Sequence, residues 1–140
     1  MGMYTELHFN SRLKSNVPAN VINILSGMTQ GLPYNESESH PLFKTERWRF
    51  MLNCGSYYFD ADTISTIRKD DITQQWTLCI RCNLKNYDDE IEKFLDWIHP
   101  YLDKQEGDFL GFYRYEETEQ PTLIHYGLQQ LKTTAIPDLP

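Results

Sequence analysis

The stretch Gln75-Trp-Thr-Leu-Cys-Ile-Arg-Cys-Asn-Leu-Lys85 alternates polar and apolar side chains along its whole length. Successive side chains of a β-strand point to opposite faces, so this stretch predicts a strand with one buried row and one polar row. The segment from Met3 to Leu13, MYTELHFNSRL, shows the same pattern with Leu7 and Phe9 in its apolar row. Together the two stretches predict a sheet that has an apolar face and a polar face.

Helical spacing appears between these strands and after them. Val21, Ile24, Leu25 and Met28 recur at i, i+3, i+4 and i+7 and predict a helix that ends near Gly31. A second apolar stripe follows Asn86 and stops at Pro100, which cannot continue a helix. The segment 43–53 fits either a short helix or a strand, and a helix is favoured. Further segments rich in aromatic or β-branched residues predict strands at 57–59, 63–69, 109–116 and 122–126, and the polar, proline-containing segment 32–39 predicts a surface loop.

This order of elements predicts the α+β class. We expect a two-layer sandwich, with a mainly antiparallel sheet of about five strands and two helices packed on one of its faces. Residues 1–127 form the expected single domain, and residues 128–140 form a C-terminal tail packed on it. A chain of 140 residues suits one such core.

Charge and composition narrow the possible partners. The net charge of −7 opposes non-specific attraction to nucleic acid or to an anionic membrane, so we expect neither as a direct partner. No apolar run approaches the roughly 20 residues of a membrane-spanning helix, and the first residues lack the layout of a signal peptide. We therefore expect a soluble protein of the cytoplasm.

The chain contains three cysteines, of which Cys79 and Cys82 have CxxC spacing. Residues three apart on a strand point to opposite faces, so this pair cannot converge on one metal ion. We expect reduced thiols, with Cys82 in the core, and no metal or cofactor.

The polar rows supply most of the candidate binding residues. Arginine binds anions in a fixed two-pronged geometry, so these rows could hold a phosphate or nucleotide. The alternative is cross-strand pairing within the sheet, for example between Glu6 and Arg81. The candidates for binding a ligand or partner are Tyr4, Glu6, His8, Asn10, Arg12, Arg81, Asn83 and Lys85, with Arg47 and Arg49 nearby.

Two other patterns have alternative interpretations. The segment Phe109-Leu-Gly-Phe-Tyr-Arg-Tyr115 combines glycine and aromatic residues, as strands that stack RNA bases do. The negative net charge of the chain favours the alternative that these aromatic residues belong to the core. Dense carboxylates on and around the second helix are ordinarily a solvated face, but they can also imitate a phosphate backbone and occupy a partner's basic groove. These carboxylates are Asp88, Asp89, Glu90, Glu92 and Asp96.

No nucleotide-binding, hydrolase or metalloprotease motif is present. The four histidines lie on separate predicted elements, and His8 is a candidate base beside Glu6 or Arg81. An enzyme would therefore need a catalytic cluster that only the fold could assemble. We assign no catalytic residue from the sequence.

Four motifs resemble small uncharacterised proteins encoded by phages and prophages. They are Met1-Gly-Met-Tyr-Thr-Glu-Leu, His40-Pro-Leu-Phe with Arg47-Trp48, Ser56-Tyr-Tyr-Phe, and Arg81-Cys-Asn-Leu-Lys-Asn with the helix after it. The resemblance extends from Met1 to about Tyr126 and implies an intracellular accessory protein, located in the host cytoplasm, that acts on host or defence machinery. That group has no established activity, so no functional residue is carried over.

These observations favour a non-enzymatic accessory protein that binds or inhibits a host or defence partner, for example an anti-CRISPR or another anti-defence inhibitor. The expected surfaces are the polar sheet face and the acidic helix, with a protein partner or self-association. The first alternative is a protein that binds a small anionic ligand or nucleotide through Arg81, Asn83 and His8. An uncharacterised enzyme is the further alternative.

Overall fold

The computed structural model describes residues 3–31, 38–56 and 59–137. Most of the loop predicted at 32–39 and part of the strand predicted at 57–59 lie outside these ranges. Phe59 itself lies in a bend. The elements in chain order are β1 (Thr5–Arg12), α1 (Ala19–Gln30), 3₁₀ helices at Pro41–Lys44 and Trp48–Asn53, β2 (Thr66–Lys69), β3 (Trp76–Leu84), α2 (Glu90–Ile98), a 3₁₀ turn at His99–Tyr101, β4 (Phe109–Tyr115), β5 (Thr122–His125) and β6 (Lys132–Ala135).

The strands form one antiparallel sheet in the order β2-β3-β1-β4-β5-β6. The α+β class is confirmed, with six strands rather than about five. The additional strand is β6, which lies within the segment 128–140 and pairs with β5. Because β1 pairs with both β3 and β4, the chain's first strand lies inside the sheet.

The apolar rows of β1 and β3 face the helices, as the alternation predicts. Leu7, Phe9, Ile80 and Cys82 are buried, and the ring of Phe9 meets the ring of Phe94 in α2 edge-on at 6.2 Å between centroids. This confirms Cys82 as a core residue. The sequence of segment 43–53 fits either a helix or a strand. The structure has two short 3₁₀ helices in this region, so the helical interpretation is correct.

Both α-helices end where the sequence predicts. Gly31 follows α1 in the left-handed conformation, with φ 68°, which favours glycine. The side chain of Asn86 accepts a hydrogen bond from the amide of Ile91 at 2.9 Å and so satisfies a free donor at the start of α2. The α-helix stops at Ile98, and Pro100 lies in the 3₁₀ turn that follows. In the described ranges no helix has the length and hydrophobicity to cross a membrane.

Gly111 allows β1 and β4 to approach closely, and it follows an irregularity in the pairing of β4 with β5. A Cβ at this position would lie 1.9 Å from the carbonyl oxygen of His8. No side chain fits there without moving the strand backbone. This glycine therefore fixes the pairing that brings β4 beside the N-terminal strand.

Candidate functional site

A cleft of about 270 Å³ opens where β1 begins and β3 ends. Its lining comes from four parts of the chain: the residue before β1, the second 3₁₀ helix with its flanks, the end of β3, and the start of α2. The lining residues are Tyr4, Arg47, Phe50, Met51, Cys54, Leu84, Lys85 and Glu90. Three of the predicted binding residues, Tyr4, Arg47 and Lys85, therefore come together here.

The sheet register places Tyr4 beside Lys85. Thr5 pairs with Leu84, so the next residues outward on the two antiparallel strands are opposite each other. The ammonium nitrogen of Lys85 lies 5.7 Å from the centroid of the Tyr4 ring, a cation–π contact. This contact holds the positive charge at one side of the cleft.

The second 3₁₀ helix provides the opposite wall. Arg47 precedes this helix and Cys54 follows it, while Met51 is buried and Phe50 is 58 % exposed. The guanidinium of Arg47 lies 5.6 Å from the centroid of the Tyr87 ring. This wall thus presents one cation beside an apolar surface.

The backbone of β3 holds Cys54 in place. Its carbonyl oxygen accepts hydrogen bonds from the amide of Asn83 and the hydroxyl of Thr63, each at 2.9 Å. Burial raises the pKa of the Cys54 thiol, and a backbone hydrogen bond with Gly55 and the charges of Lys85 and Arg47 act in the opposite direction. The thiol therefore lies in the positive field of both cleft cations.

Glu90 places a carboxyl group in the cleft wall. The residue is fully buried, its Oε1 accepts from the amide of Asp88 at 3.2 Å, and its Oε2 has no hydrogen-bond partner among the described residues. Burial raises the pKa of this carboxyl, with Arg47 lowering it by its charge. A buried group with a displaced pKa beside a cleft is characteristic of functional sites.

A second depression of about 250 Å³ contains the predicted residues His8, Asn10 and Arg81. The Cys79 thiol donates to Oδ1 of Asn10 at 2.9 Å, and Nε of Arg81 donates to the carbonyl of Asp62 at 2.8 Å. This depression is separate from the cleft, so the predicted polar face does not form one continuous site.

Two predicted surface residues, Glu6 and Asn83, are buried, which corrects their assignment to an exposed polar row. Oε1 of Glu6 accepts from Nε of Arg114 at 2.9 Å, and the Arg114 guanidinium lies 5.3 Å from the centroid of the buried Phe59 ring. The example pair Glu6 with Arg81 is also wrong. In the observed register Glu6 is opposite Asn83 and Arg114, while Arg81 is opposite His8.

The two remaining predicted residues lie outside both depressions. Arg12 is exposed at the far end of β1. Arg49 stacks its guanidinium on Trp48, 5.1 Å from the ring centroid. Arg49 is therefore a nearby cation that does not line the cleft.

The histidines have structural contacts. Nε2 of His40 lies 2.7 Å from Oδ2 of Asp96 while its Nδ1 accepts from the amide of Leu42, so both ring nitrogens are engaged. Nε2 of His99 lies 2.7 Å from the carbonyl oxygen of Gly127. Nε2 of His8 is 3.5 Å from Oε2 of Glu6. In ranges 3–31, 38–56 and 59–137 no group of three or more His, Cys, Asp or Glu side chains is placed to hold a metal ion.

Sequence reasoning missed Phe50, Met51, Cys54, Leu84 and Glu90 as cleft residues. A signal for Glu90 was available, because positions 90, 94 and 98 share one helical stripe and two of them are buried apolar residues. The others come from separate elements, and no local pattern brings them together. Comparisons with protein-family models, curated proteins and solved structures found no match for the chain.

Proposed function

We propose that this protein binds a small anionic ligand with an apolar or aromatic body in the cleft between β3, α2 and the second 3₁₀ helix. The observation that carries the proposal is the placement of Arg47 and Lys85 around a cleft whose other lining side chains are apolar or aromatic, apart from the buried Glu90. Binding sites for small molecules typically combine apolar walls with a few polar groups that fix orientation. The anionic group would bind the two cations.

The two cations have different roles in this proposal. Arg47 is exposed and offers several N–H donors in a planar arrangement that matches carboxylate or phosphate oxygens. Lys85 adds a compact positive charge that the Tyr4 ring holds in position. The ligand body would cover Met51 and Leu84, with the exposed Phe50 ring at the rim.

The size of the cleft limits the ligand. At about 270 Å³ it lies just below the usual range for small-molecule pockets, roughly 300 to 1,000 Å³. A single ring with one acidic group fits this volume better than a dinucleotide does. Phenyl phosphate is therefore a suitable probe, and inorganic phosphate is its control without the apolar body.

Titration of the ¹⁵N-labelled protein with phenyl phosphate tests the site. We expect the amide signals of Tyr4, Cys54 and Lys85 to shift and saturate together, and those of His8 and Arg81 to shift less. Inorganic phosphate should bind more weakly, because it gains nothing from the apolar walls. No saturable shift at the cleft residues would reject the proposal.

The acidic start of α2 favours a second candidate function, the binding of a basic protein partner. Asp88, Asp89 and Glu92 are exposed, whereas Glu90 is buried. We propose that an accessory or inhibitor protein of the cytoplasm would bind its host partner through this surface.

Binding of the basic partner should weaken in the variant Asp88→Asn/Asp89→Asn and at high salt. A complex that neither change affects would exclude this surface.

A further inference from the structure

The sheet face opposite the two α-helices, here called the open face, has aromatic rings on its central and later strands. The imidazole of His8 stacks on Phe112 with 4.5 Å between centroids and 13° between planes. Phe109 meets His125 at 5.4 Å, and Phe109 is 57 % exposed. These phenylalanines were interpreted from the sequence as core residues, and the register shows instead that they share the face of His8.

Charge on the open face is opposite in sign to that of the whole chain. The register assigns to this face the basic residues Arg12, Arg68, Arg81, Arg114 and Lys132. Glu6 is the single acidic residue among the described strand residues of this face. The net charge of −7 is therefore distributed unevenly, and the strand residues of the open face are mostly basic.

Within the described part of the chain, two of these five basic residues form ion pairs, and the other three do not. Glu6 pairs with Arg114, and Glu106 pairs with Lys132. Arg12, Arg68 and Arg81 have no carboxylate within ion-pair distance among the described residues. Backbone hydrogen bonds from Thr73 and Ile72 lower the pKa of Asp70, and the charge of Arg68 adds to this effect. These three arginines lie on the neighbouring strands β2, β3 and β1. The aromatic and imidazole rings lie on β1 and on the next two strands of the sheet, β4 and β5.

We propose that the open face binds single-stranded nucleic acid, with bases stacked on Phe109 and the His8–Phe112 pair and phosphates near Arg12, Arg68 and Arg81. Charge complementarity favours this ligand, because the phosphates of a polyanion can pair with arginines that have no carboxylate partner. Aromatic rings beside a basic surface are the usual means of holding unpaired bases. Duplex DNA keeps its base faces stacked internally, so it cannot use these rings.

Fluorescence anisotropy with a short fluorescein-labelled oligothymidylate tests this proposal at low salt. We expect saturable binding, weaker binding of a duplex of the same length, and a slope of about −2 for log affinity against log salt concentration, the value for roughly three neutralised phosphates. Absence of binding at low salt, or equal binding of the duplex, would overturn the proposal.

Matched substitutions distinguish the loss of a base-stacking ring or of an open-face charge from the loss of any exposed ring or charge. Phe109→Leu should weaken binding about tenfold, since one base loses its stacking partner. Phe50→Leu is the control, because Phe50 is equally exposed, at 58 %, and lines the cleft instead. Arg81→Gln should also weaken binding, and Lys44→Gln should not. Thermal unfolding checks that each variant folds; equal losses for Phe109→Leu and Phe50→Leu would overturn the assignment without affecting the cleft proposal.

Discussion

Glu6 in β1 and Arg114 in β4 form an ion pair in which the carboxylate is buried and the distance between Nε and Oε1 is 2.9 Å. The pair joins the two neighbouring strands on the open face, and Phe59 packs against the guanidinium. The carboxylate has little contact with water, Arg114 is its charged hydrogen-bond donor, and Nε2 of His8 lies 3.5 Å from its Oε2. This part of the face is structural.

Arg114→Met should lower the free energy of unfolding by about 2 kcal/mol, since it leaves a buried carboxylate without its charged donor. The double variant Glu6→Gln/Arg114→Met removes both charges and should recover most of the loss. Urea denaturation measures both. An Arg114→Met variant that is no less stable than the double variant would contradict a buried carboxylate that needs Arg114 as its partner.

Gly111→Ala should destabilise the protein by about 3 kcal/mol or more, because the new Cβ collides with the His8 carbonyl. Gly107→Ala provides the control. Gly107 also has a positive φ, 90°, but nothing lies within 4 Å of the added Cβ, so it should lose only about 1 kcal/mol. Denaturation curves compare the two, and equal losses would refute the close approach of β1 and β4.

The Glu90 carboxyl makes stability depend on pH in a defined direction. Its pKa is raised in the folded state, so the folded protein binds this proton more tightly than the unfolded chain does. The contribution of Glu90 to stability therefore falls as the pH rises above the pKa of about 4.3 in the unfolded chain and through the raised pKa of the folded state. Glu90→Gln should gain in stability relative to the wild type as the pH rises from about 4.3, the pKa in the unfolded chain, through the raised pKa of the folded state.

The exposed Glu92 on the same helix provides the matched variant Glu92→Gln. Urea denaturation at several pH values compares the two variants with the wild type. A Glu90→Gln difference that stays constant over this range, or that follows Glu92→Gln, would contradict a buried carboxyl with a raised pKa.

The three cysteines should react with iodoacetamide in the order Cys79, Cys54, Cys82. Cys79 is exposed, Cys54 is half-buried, and Cys82 is fully buried. Burial also raises the pKa of both Cys54 and Cys82, which lowers the fraction of reactive thiolate. Peptide mass spectrometry follows each site. Native-state labelling of Cys82 as fast as that of Cys79 would contradict the core assignment.

The sequence predicts the parts of the fold that depend on local pattern. Alternation identifies the buried rows of β1 and β3, and Gly31 and Pro100 mark the helix ends, because side-chain direction and backbone chemistry act over a few residues. The choice of which strands pair with each other cannot be predicted in this way. That Glu6 meets Arg114 rather than Arg81 depends on which strand lies beside β1, and no local signal states this.

The candidate site shows the same division. Tyr4 and Lys85 were identifiable because they continue the two alternating strands. Cys54 and Phe50 join them only through the tertiary position of a 3₁₀ helix. Phe109 was misassigned because an aromatic strand residue suits a core and an open face equally well in sequence, and exposure depends on whether another layer covers it.

The affinity of phenyl phosphate for the wild type and three matched variants, measured by isothermal titration calorimetry at one ionic strength, tests the cleft most directly. Arg47→Gln and Lys85→Gln should each weaken binding about tenfold, the loss expected for one charge-assisted contact. Arg49→Gln removes a neighbouring cation outside the cleft and should leave the affinity unchanged. Equal affinity for all four proteins, or no measurable binding to the wild type, would contradict an anion site formed by Arg47 and Lys85.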